Sequence, residues 1–281
     1  MTAKKYLLGF TLVVSTFAST YFVMVSTAQV AAPAPQPDLG YQVTGVLYTQ
    51  KAAEYRALAY QAFNLARLRL DADLDKKNLK KLPKASRKLP RAIVVDIDET
   101  VLDNSPSNAK QITTNTPFNT KDWYAWGEMR KAKAVPGSLD FINYAVSKGV
   151  KIFYISNRDE VQRQATLDNL KSAGFNDVSS ERVMLRVNGE SPKGPRREVV
   201  SATYRIVLLV GDNLDDFASA FEKKPIAERF AEADRLRDQW GRKFIVLPNA
   251  MYGTWENAIY EYQRLTEAQK AAKRAAALEL P

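Results

Sequence analysis

The sequence predicts an α/β fold, with a parallel sheet at its core and a smaller helical region beside it. Three short apolar runs rich in β-branched residues, 92–95, 152–155 and 206–210, contain no turn residue and are typical of buried strands. Helical patterns with short connections separate these runs, and such alternation favours a parallel sheet. Polar residues follow each run, so candidate catalytic or binding residues lie at the carboxyl ends of the predicted strands.

The composition limits the kinds of site that this chain can build. Its 281 residues suffice for one large domain, or for a core with a smaller region beside it. The absence of cysteine and histidine excludes disulfides, thiolate nucleophiles, Ser-His-Asp triads and metal sites built from Cys or His ligands. If the protein is an enzyme, carboxylates and lysine must carry out its chemistry.

The net charge of +10 favours an anionic partner, such as a phosphate ester, a nucleic acid or an acidic membrane surface. Much of the excess positive charge lies in residues 76–91, just before the first strand. This stretch lacks the aromatic residues that accompany basic ones in single-stranded nucleic-acid sites. We therefore predict a solvated linker there and no nucleic-acid partner.

The N-terminus has the pattern of a secretory signal. Lys4 and Lys5 precede a long apolar run, and small residues follow it, with plausible cleavage sites at 26–28 and 30–32. We predict a signal peptide at 1–32, a proline-containing tether at 33–45, and a periplasmic or secreted protein. An uncleaved N-terminal anchor is the alternative, because the apolar run is long.

Three segments are predicted to form the helical accessory region beside the core, which spans 91–250. Residues 46–75 have two apolar stripes at helical spacing, so this helix would pack on two sides. The polar and aromatic insertion at 104–135 follows the first strand, where it would form a cap over the ligand crevice. The third segment is C-terminal, at 251–281.

The remaining core elements are placed by turn and cap residues. Pro136 and Gly137 open a helix that Gly149 ends, and Gly174 ends the next one. Proline suits the first turn of a helix, so another helix is predicted from Pro195. The other predicted elements are a helix at 159–173, a weaker strand at 183–187, a polar helix at 227–240 and a last strand at 243–247.

Asp96 and Asp98 follow the first strand two positions apart. Side chains at that spacing in an extended strand fall on one side of the chain, unless the chain turns there. Two carboxylates so near each other would repel. The pKa of one would then rise, unless a cation or a catalytic role accounts for the pair. The structural alternative is a solvated loop with helix-capping acids.

Four motifs occur in one order: Asp-x-Asp after a strand, Ser after a strand, a Lys loop, and Gly-Asp-x-x-x-Asp after a strand. They lie within residues 92–105, 152–158, 191–193 and 206–216. This pattern resembles the haloacid-dehalogenase (HAD) superfamily of phosphotransferases. More narrowly, Asp-Ile-Asp-Glu-Thr-Val-Leu-Asp-Asn and Gly-Asp-Asn-Leu-Asp-Asp-Phe resemble bacterial class C acid phosphatases, the lipoprotein-e-type 5′-nucleotidases. The resemblance implies a HAD-like Rossmannoid core.

Two flanking segments extend the resemblance. The run at 50–64 is similar to the N-terminal helix of the same family, although Ala52 stands where serine is expected, and 248–256 is similar to its C-terminal segment. Lipoprotein members carry a lipid on a cysteine after the signal. This chain has no cysteine, so lipid anchoring by that route is excluded.

The resemblance implies roles for four side chains in phosphoryl transfer. Asp96 would be the nucleophile and form an aspartyl-phosphate. Asp98 would protonate the leaving oxygen and then activate water for the second step. Ser156 would hydrogen-bond a phosphate oxygen, and Lys193 would neutralise charge on the phosphate and on Asp96.

The resemblance also implies a magnesium site. Mg²⁺ prefers oxygen ligands, so Asp96, the backbone carbonyl of Asp98, and Asp212 would coordinate it directly. Asp216 would orient the site or bind through water, and Asp215 is a weaker candidate. The structural alternative for residues 212–216 is helix N-capping after a strand.

The prediction of the substrate rests on aromatic residues. In the family, a nucleotide base stacks between aromatic side chains, and Trp123 and Tyr252 are the first candidates here. The alternative is that both belong to the core. The resemblance implies small phosphomonoester substrates, above all 5′-nucleotides, and a homodimer as a family-level expectation only.

We therefore predict an exported, Mg²⁺-dependent acid phosphatase or 5′-nucleotidase. Two alternatives stay open. The first is a phosphotransferase that passes the aspartyl-phosphate to an alcohol, and the second is a catalytically silent nucleotide-binding or storage protein on the same scaffold. The intact Asp96, Asp98 and Lys193 argue against the silent protein.

Overall fold

A five-stranded parallel sheet is the centre of the protein, which a computed structural model describes for residues 38–281. The predicted signal peptide at 1–32 and the first part of the predicted tether, 33–37, lie outside the described residues. The rest of the tether, 38–45, is ordered and contains a 3₁₀ turn at Gly40–Gln42. The strands in chain order are β1 (Arg91–Val95), β2 (Leu102–Asp103), β3 (Lys133–Ala134), β4 (Lys151–Asp159), β5 (Val183–Arg186), β6 (Arg205–Gly211) and β7 (Phe244–Val246). The strands β2 and β3 form a separate antiparallel ribbon. The predicted parallel α/β core is confirmed.

Helices cover the sheet and extend beyond it. In chain order they are α1 (Val43–Lys51), α2 (Ala53–Leu74), α3 (Lys76–Leu79), α4 (Lys84–Lys88), α5 (Ser105–Thr113), α6 (Thr120–Met129), α7 (Ser138–Ser147), α8 (Arg163–Ser172), α9 (Gly194–Thr203), α10 (Ile226–Arg235), α11 (Thr254–Ile259) and α12 (Glu267–Ala276). Among residues 38–281, no helix combines the length and the apolar character needed to cross a membrane.

The strand order β5-β4-β1-β6-β7 determines where a ligand can bind. From β1 the chain winds outward through β4 to β5, then returns to the other side of β1 as β6 and β7. The sheet therefore has its topological switch point beside β1. In open parallel sheets, ligands bind in the crevice at the carboxyl ends of the strands next to this point.

Alternate residues of β1 face two apolar layers, as a strand buried on both faces requires. Ile93 and Val95 pack in the layer formed with α2 and α7, which contains Phe63. Ala92 and Val94 pack in the opposite layer, with α9 and the aromatic residues around Phe217. Both faces of β1, the strand that precedes Asp96, are therefore packed against apolar layers.

The segment predicted as one helix at 46–75 is two helices. Ala52 has an extended backbone (φ −77°, ψ 127°), which ends α1 and starts α2. The helix α1 lies close to the C-terminal segment: a Cβ at Gly45 would approach the backbone oxygen of Ala250 to 2.6 Å. Gln50 donates a hydrogen bond to Ser105 at the start of α5 (3.1 Å). This break lets α1 contact two other parts of the accessory region.

The predicted linker and insertion both contain short helices. In 76–90 the basic side chains are exposed, and α3 and α4 lie there. The insertion forms α5 and α6 and closes with the β2–β3 ribbon, where Leu102 pairs with Ala134. That ribbon brings the end of the insertion back beside its start, so α5 and α6 lie at the carboxyl end of β1.

Asp73 joins the C-terminal end of α2 to the beginnings of β1 and β6. Its carboxylate accepts hydrogen bonds from Arg91 (2.6 Å) and Arg205 (2.6 and 2.8 Å). Burial alone would raise the pKa of Asp73, but the hydrogen bonds from Arg205 and Arg91 outweigh it and hold the pKa below its ordinary value. The charged form of Asp73 therefore stabilises the fold.

We expect Asp73→Asn to lower the free energy of unfolding by about 2 kcal/mol near neutral pH, because two arginines lose a charged partner. Since the folded-state pKa is depressed, this contribution is fully present above the unfolded pKa of about 3.9 and is lost as the pH falls through the folded value. Chemical denaturation at several pH values measures the difference from the wild type.

Asp238→Asn is the matched control, because Asp238 is exposed and has no hydrogen bond or ion pair from its side chain to any residue within 38–281. It should leave the free energy of unfolding unchanged. A loss in Asp73→Asn that persists undiminished below about pH 3 would contradict the electrostatic account.

Candidate active site

Asp96 and Lys193 meet at the carboxyl end of β1. The backbone N–H of Asp96 donates to Val210 on β6 (2.9 Å), which fixes this residue between two strands. Lys193, in the loop that follows β5, donates from Nζ to Asp96 Oδ1 and, at 2.6 Å, to Asp216 Oδ1. All three residues are buried. A buried carboxylate is therefore paired directly with a buried ammonium group.

Asp212 and Asp216 follow β6 and face the same centre. Asp212 accepts hydrogen bonds from Thr100 Oγ1 (3.0 Å) and Asn249 Nδ2 (2.9 Å). Asp216 accepts one from the backbone N–H of Asn213 (3.0 Å) in a capping box. The capping alternative is thus observed for Asp216, but the same carboxylate also contacts Lys193.

Gly211 explains how the second acidic motif can fold so tightly. A Cβ at this position would lie 2.3 Å from Asp216 Oδ2 and 2.6 Å from Asp216 Cβ. Any side chain would therefore displace Asp216 from the cluster. The Gly-Asp-x-x-x-Asp spacing is a requirement of packing as well as of chemistry.

Three carboxylates form a group whose chemistry suits a hard cation. Carboxylate oxygens of Asp96, Asp212 and Asp216 all lie within 4.8 Å of one another. Burial and then repulsion from Asp216 raise the pKa of Asp212 to about 7, although hydrogen bonds from Asn249 oppose the rise. Burial likewise raises the pKa of Asp96, against the attraction of Lys193. This all-oxygen set fits a divalent cation such as Mg²⁺, which would relieve the crowding of negative charge.

Asp98 belongs to a different set of contacts. Its carboxylate accepts from Arg158 Nη2 (2.7 Å) and Nε (3.0 Å) and from Asn104 Nδ2 (2.8 Å). The chain turns after Asp96, and the backbone N–H of Leu102 donates back to Ile97 (2.8 Å). Asp96 therefore faces lysine and the other carboxylates, while Asp98 faces arginine.

Ser156 lies inside the site, fully buried near the end of β4. Its hydroxyl donates to Asp98 Oδ2 (3.2 Å) and accepts from the backbone N–H of Arg158 (3.1 Å). Arg196 donates to the Ser156 carbonyl (2.6 Å) and to Asn157 Oδ1 (2.6 Å), which ties this strand end to α9. In this arrangement the Ser156 hydroxyl is bonded to Asp98, and a phosphate oxygen would compete for it.

Tyr252 contacts the turn that carries the first motif. Its hydroxyl donates to Glu99 Oε2, while Glu99 Oε1 accepts from the backbone N–H of Asn104 (2.7 Å). Glu99 has left-handed backbone geometry (φ 60°) and is almost fully buried. Burial, and then the charges of Asp98 and Asp212, raise the pKa of Glu99. Tyr252 is thus attached to the site from the C-terminal segment.

Trp123 reaches the site from the insertion. Its ring lies 5.4 Å from the guanidinium carbon of Arg158, and the exposed ring of Phe118 lies 6.3 Å away. Trp126, three residues further along α6, donates from Nε1 to Asn104 Oδ1 (2.8 Å). Both candidate substrate aromatics, Trp123 and Tyr252, are half-buried rather than part of the core.

The structure brings the predicted site residues of all four motifs together at the carboxyl end of the sheet. It also brings there five residues that were not predicted as site residues: Glu99, Thr100, Asn104, Arg158 and Asn249. Glu99, Thr100 and Asn104 lie inside the first motif, and Asn249 lies in the similar C-terminal segment. Asp215, the weaker metal candidate, pairs with Arg229 (3.3 Å).

Comparison with known proteins agrees with this geometry. The profile of the HAD superfamily, subfamily IIIB (Acid phosphatase), matches residues 11–255. The crystal structure of the class C acid phosphatase from Bacillus anthracis with tungstate bound superimposes with a TM-score of 0.79 at 41% identity, covering 85% of this chain and 97% of that one.

Plant proteins are similar over a shorter stretch. Acid phosphatase 1 of Solanum lycopersicum is 29% identical over 130 residues, which cover 44% of this chain and 50% of the tomato protein. The stem 28 kDa glycoprotein of Glycine max is 31% identical over 132 residues, 44% of this chain and 51% of its own. The chain thus spans about half the length of the curated relatives it matches. Since the profile covers most of the sequence, the chain belongs to the HAD superfamily, subfamily IIIB, the acid phosphatase family that its four motifs predicted.

Proposed function

We propose that this protein is an exported, Mg²⁺-dependent acid phosphatase that hydrolyses 5′-nucleotides and other small phosphomonoesters. The observation that carries the proposal is the contact of Asp96 with Lys193 at the switch point, beside two more carboxylates. Family membership supports it, and so does the B. anthracis relative, whose bound tungstate is a tetrahedral oxyanion like phosphate.

In the first step, an Asp96 oxygen attacks the phosphorus of the substrate. The bond from phosphorus to the leaving oxygen breaks, and Asp98 gives its proton to that oxygen. Lys193 neutralises negative charge on the transferring phosphoryl group, and the hydroxyl of Ser156 turns to a phosphate oxygen. The products of this step are a free alcohol and an aspartyl-phosphate on Asp96.

In the second step, water attacks the aspartyl-phosphate. Asp98, now a carboxylate, takes a proton from that water, and the phosphate leaves with Asp96 regenerated. Asp96, the Asp98 backbone carbonyl, Asp212 and Asp216 would hold Mg²⁺, directly or through water. When bound, the ion neutralises charge on the phosphoryl oxygens and orients them for in-line transfer.

Two aromatic side chains support a nucleotide as substrate. Trp123 and Tyr252 reach the site from the insertion and from the C-terminal segment, and each contacts a residue of the catalytic motifs, Arg158 or Glu99. Base stacking on such rings tolerates different bases, because every base presents a π face. We therefore assign these two residues to the leaving nucleoside.

Export is supported by the sequence of residues 1–32, in which Lys4 and Lys5 precede the apolar run. An exported phosphatase would release nucleosides outside the cytoplasm, where they are available for uptake.

The catalytic assignment predicts metal-dependent turnover that needs Asp96. The protein without residues 1–32 should release phosphate from 5′-AMP, nicotinamide mononucleotide and p-nitrophenyl phosphate in the presence of Mg²⁺, and lose that activity in EDTA. Asp96→Asn should lower kcat by at least about a thousandfold, because an amide cannot form the intermediate. Asp238→Asn, an exposed substitution, is the control and should retain full activity.

The same assay separates the alternatives. Absence of turnover by folded, Mg²⁺-loaded protein from acidic to neutral pH would overturn the hydrolase and support the silent binding protein. With an added alcohol, a phosphotransferase would release more nitrophenol than phosphate, whereas a hydrolase would release equal amounts.

The nucleotide assignment predicts selective effects at the two aromatics. Trp123→Leu and Tyr252→Leu should each lower kcat/KM for 5′-AMP by about tenfold, because one stacking contact is lost. Turnover of β-glycerophosphate, which has no ring, should change little. Tyr252→Phe is the matched control, since it keeps the ring and removes only the hydroxyl bonded to Glu99. Equal losses on both substrates would contradict a base-stacking role.

The export assignment predicts that full-length protein made in a Gram-negative host appears in the periplasm or medium with a mature mass that lacks about the first 30 residues. Fractionation with intact-mass measurement checks this. A full-length mass in the membrane fraction would support the uncleaved anchor, and recovery in the cytosol would contradict export.

A further inference from the structure

Arg158 is the largest fully buried side chain among residues 38–281. Its side chain is 1% exposed, although a guanidinium group is seldom removed from water without strong partners. The four motifs assign it no function. Its contacts therefore need an explanation of their own.

Those contacts converge on one carboxylate. Nη2 of Arg158 donates to Asp98 Oδ1 (2.7 Å), and Nε donates to Oδ1 (3.0 Å) and to Oδ2 (3.2 Å). Both carboxylate oxygens are thus held, in the two-pronged geometry that fixes the plane of a carboxylate as well as its distance. The backbone N–H of Arg158 donates to Ser156 Oγ (3.1 Å), and that hydroxyl donates to Asp98 Oδ2. One residue thus positions Asp98 both directly and through serine.

The far side of the guanidinium is anchored as well. Nη1 donates to Thr166 on α8 (3.3 Å) and Nη2 to Asn104 Oδ1 (3.3 Å), while Asn104 Nδ2 donates to Asp98. Trp123 lies over the guanidinium, 5.4 Å from its central carbon. Arg158 therefore connects the core, the insertion and the side chain that we assign to proton transfer.

We propose that Arg158 is the positioning residue that sets the orientation of the Asp98 carboxyl group toward the leaving oxygen and the attacking water. This inference rests on the proposed role of Asp98. Because the guanidinium holds Asp98 by two bonds in a fixed plane, loss of either bond releases the carboxyl group from that plane. Proton transfer then loses efficiency while the Asp96–Lys193 pair stays intact.

Dependence on the leaving group distinguishes this role from a structural one. A nitrophenolate departs without a proton, whereas an alkoxide needs one. Arg158→Lys keeps the positive charge but removes the planar guanidinium group that binds Asp98 through two nitrogens. It should lower kcat/KM for β-glycerophosphate at least about tenfold more than for p-nitrophenyl phosphate, since proton donation matters only for the poorer leaving group. Inhibition by inorganic phosphate should stay within about threefold of the wild type, because the phosphate site is preserved.

Arg229→Lys is the matched control. Arg229 is also buried and bonded to an aspartate, Asp215, but it is not in contact with Asp98. It should lower turnover of both substrates by the same factor. Thr166→Val is a near-isosteric second variant that removes the anchor of Nη1, and it should give a smaller bias in the same direction. Thr166→Val replaces Arg158→Lys as the test if circular dichroism shows that Arg158→Lys does not fold.

Asp98→Asn tests the proposed role of Asp98 separately from that of Arg158. Its kcat/KM for β-glycerophosphate should fall, relative to that for p-nitrophenyl phosphate, by a larger factor than in Arg158→Lys. If Asp98→Asn has no bias, the proposed role of Asp98 is wrong. If it has the bias while the folded Arg158 or Thr166 variant slows both substrates equally, the positioning role of Arg158 is overturned.

Discussion

The crowding of negative charge at the carboxyl end of the sheet is the constraint on which the site depends. Asp96, Asp212 and Asp216 are brought together by β1 and β6, and burial makes their mutual repulsion costly. Lys193 offsets part of this charge, and its own pKa is raised because Asp216 and Asp96 outweigh the effect of burial. The remaining negative charge suits a divalent cation, which together with Lys193 would attract an anionic substrate.

The fold satisfies this constraint by dividing the acidic residues into two groups. Asp96 shares Lys193 with Asp216, whereas Asp98 is turned toward Arg158 by the bend after the first strand. Asp96 and Asp98 therefore have different cationic partners. In the proposed mechanism the two neighbouring aspartates perform different tasks, one as nucleophile and one in proton transfer, and their different surroundings account for that difference.

Much of this arrangement could be predicted from the sequence, because local patterns determine it. Continuous β-branched runs gave the strands, and polar residues at their ends gave Asp96, Ser156 and Asp212. The orientation of Asp98 could not be predicted, since its partner Arg158 lies 60 residues away and reaches it only after β1 and β4 pair. The break at Ala52 was also missed, because alanine favours a helix and packing against distant segments decides the outcome.

The bond between Glu99 and Tyr252 joins residues 153 positions apart in the chain. Closing a loop of that length costs conformational entropy before the contact can stabilise the fold. Until the segment that follows the last strand has been synthesised, a nascent chain therefore lacks the bond that attaches Tyr252 to the first motif.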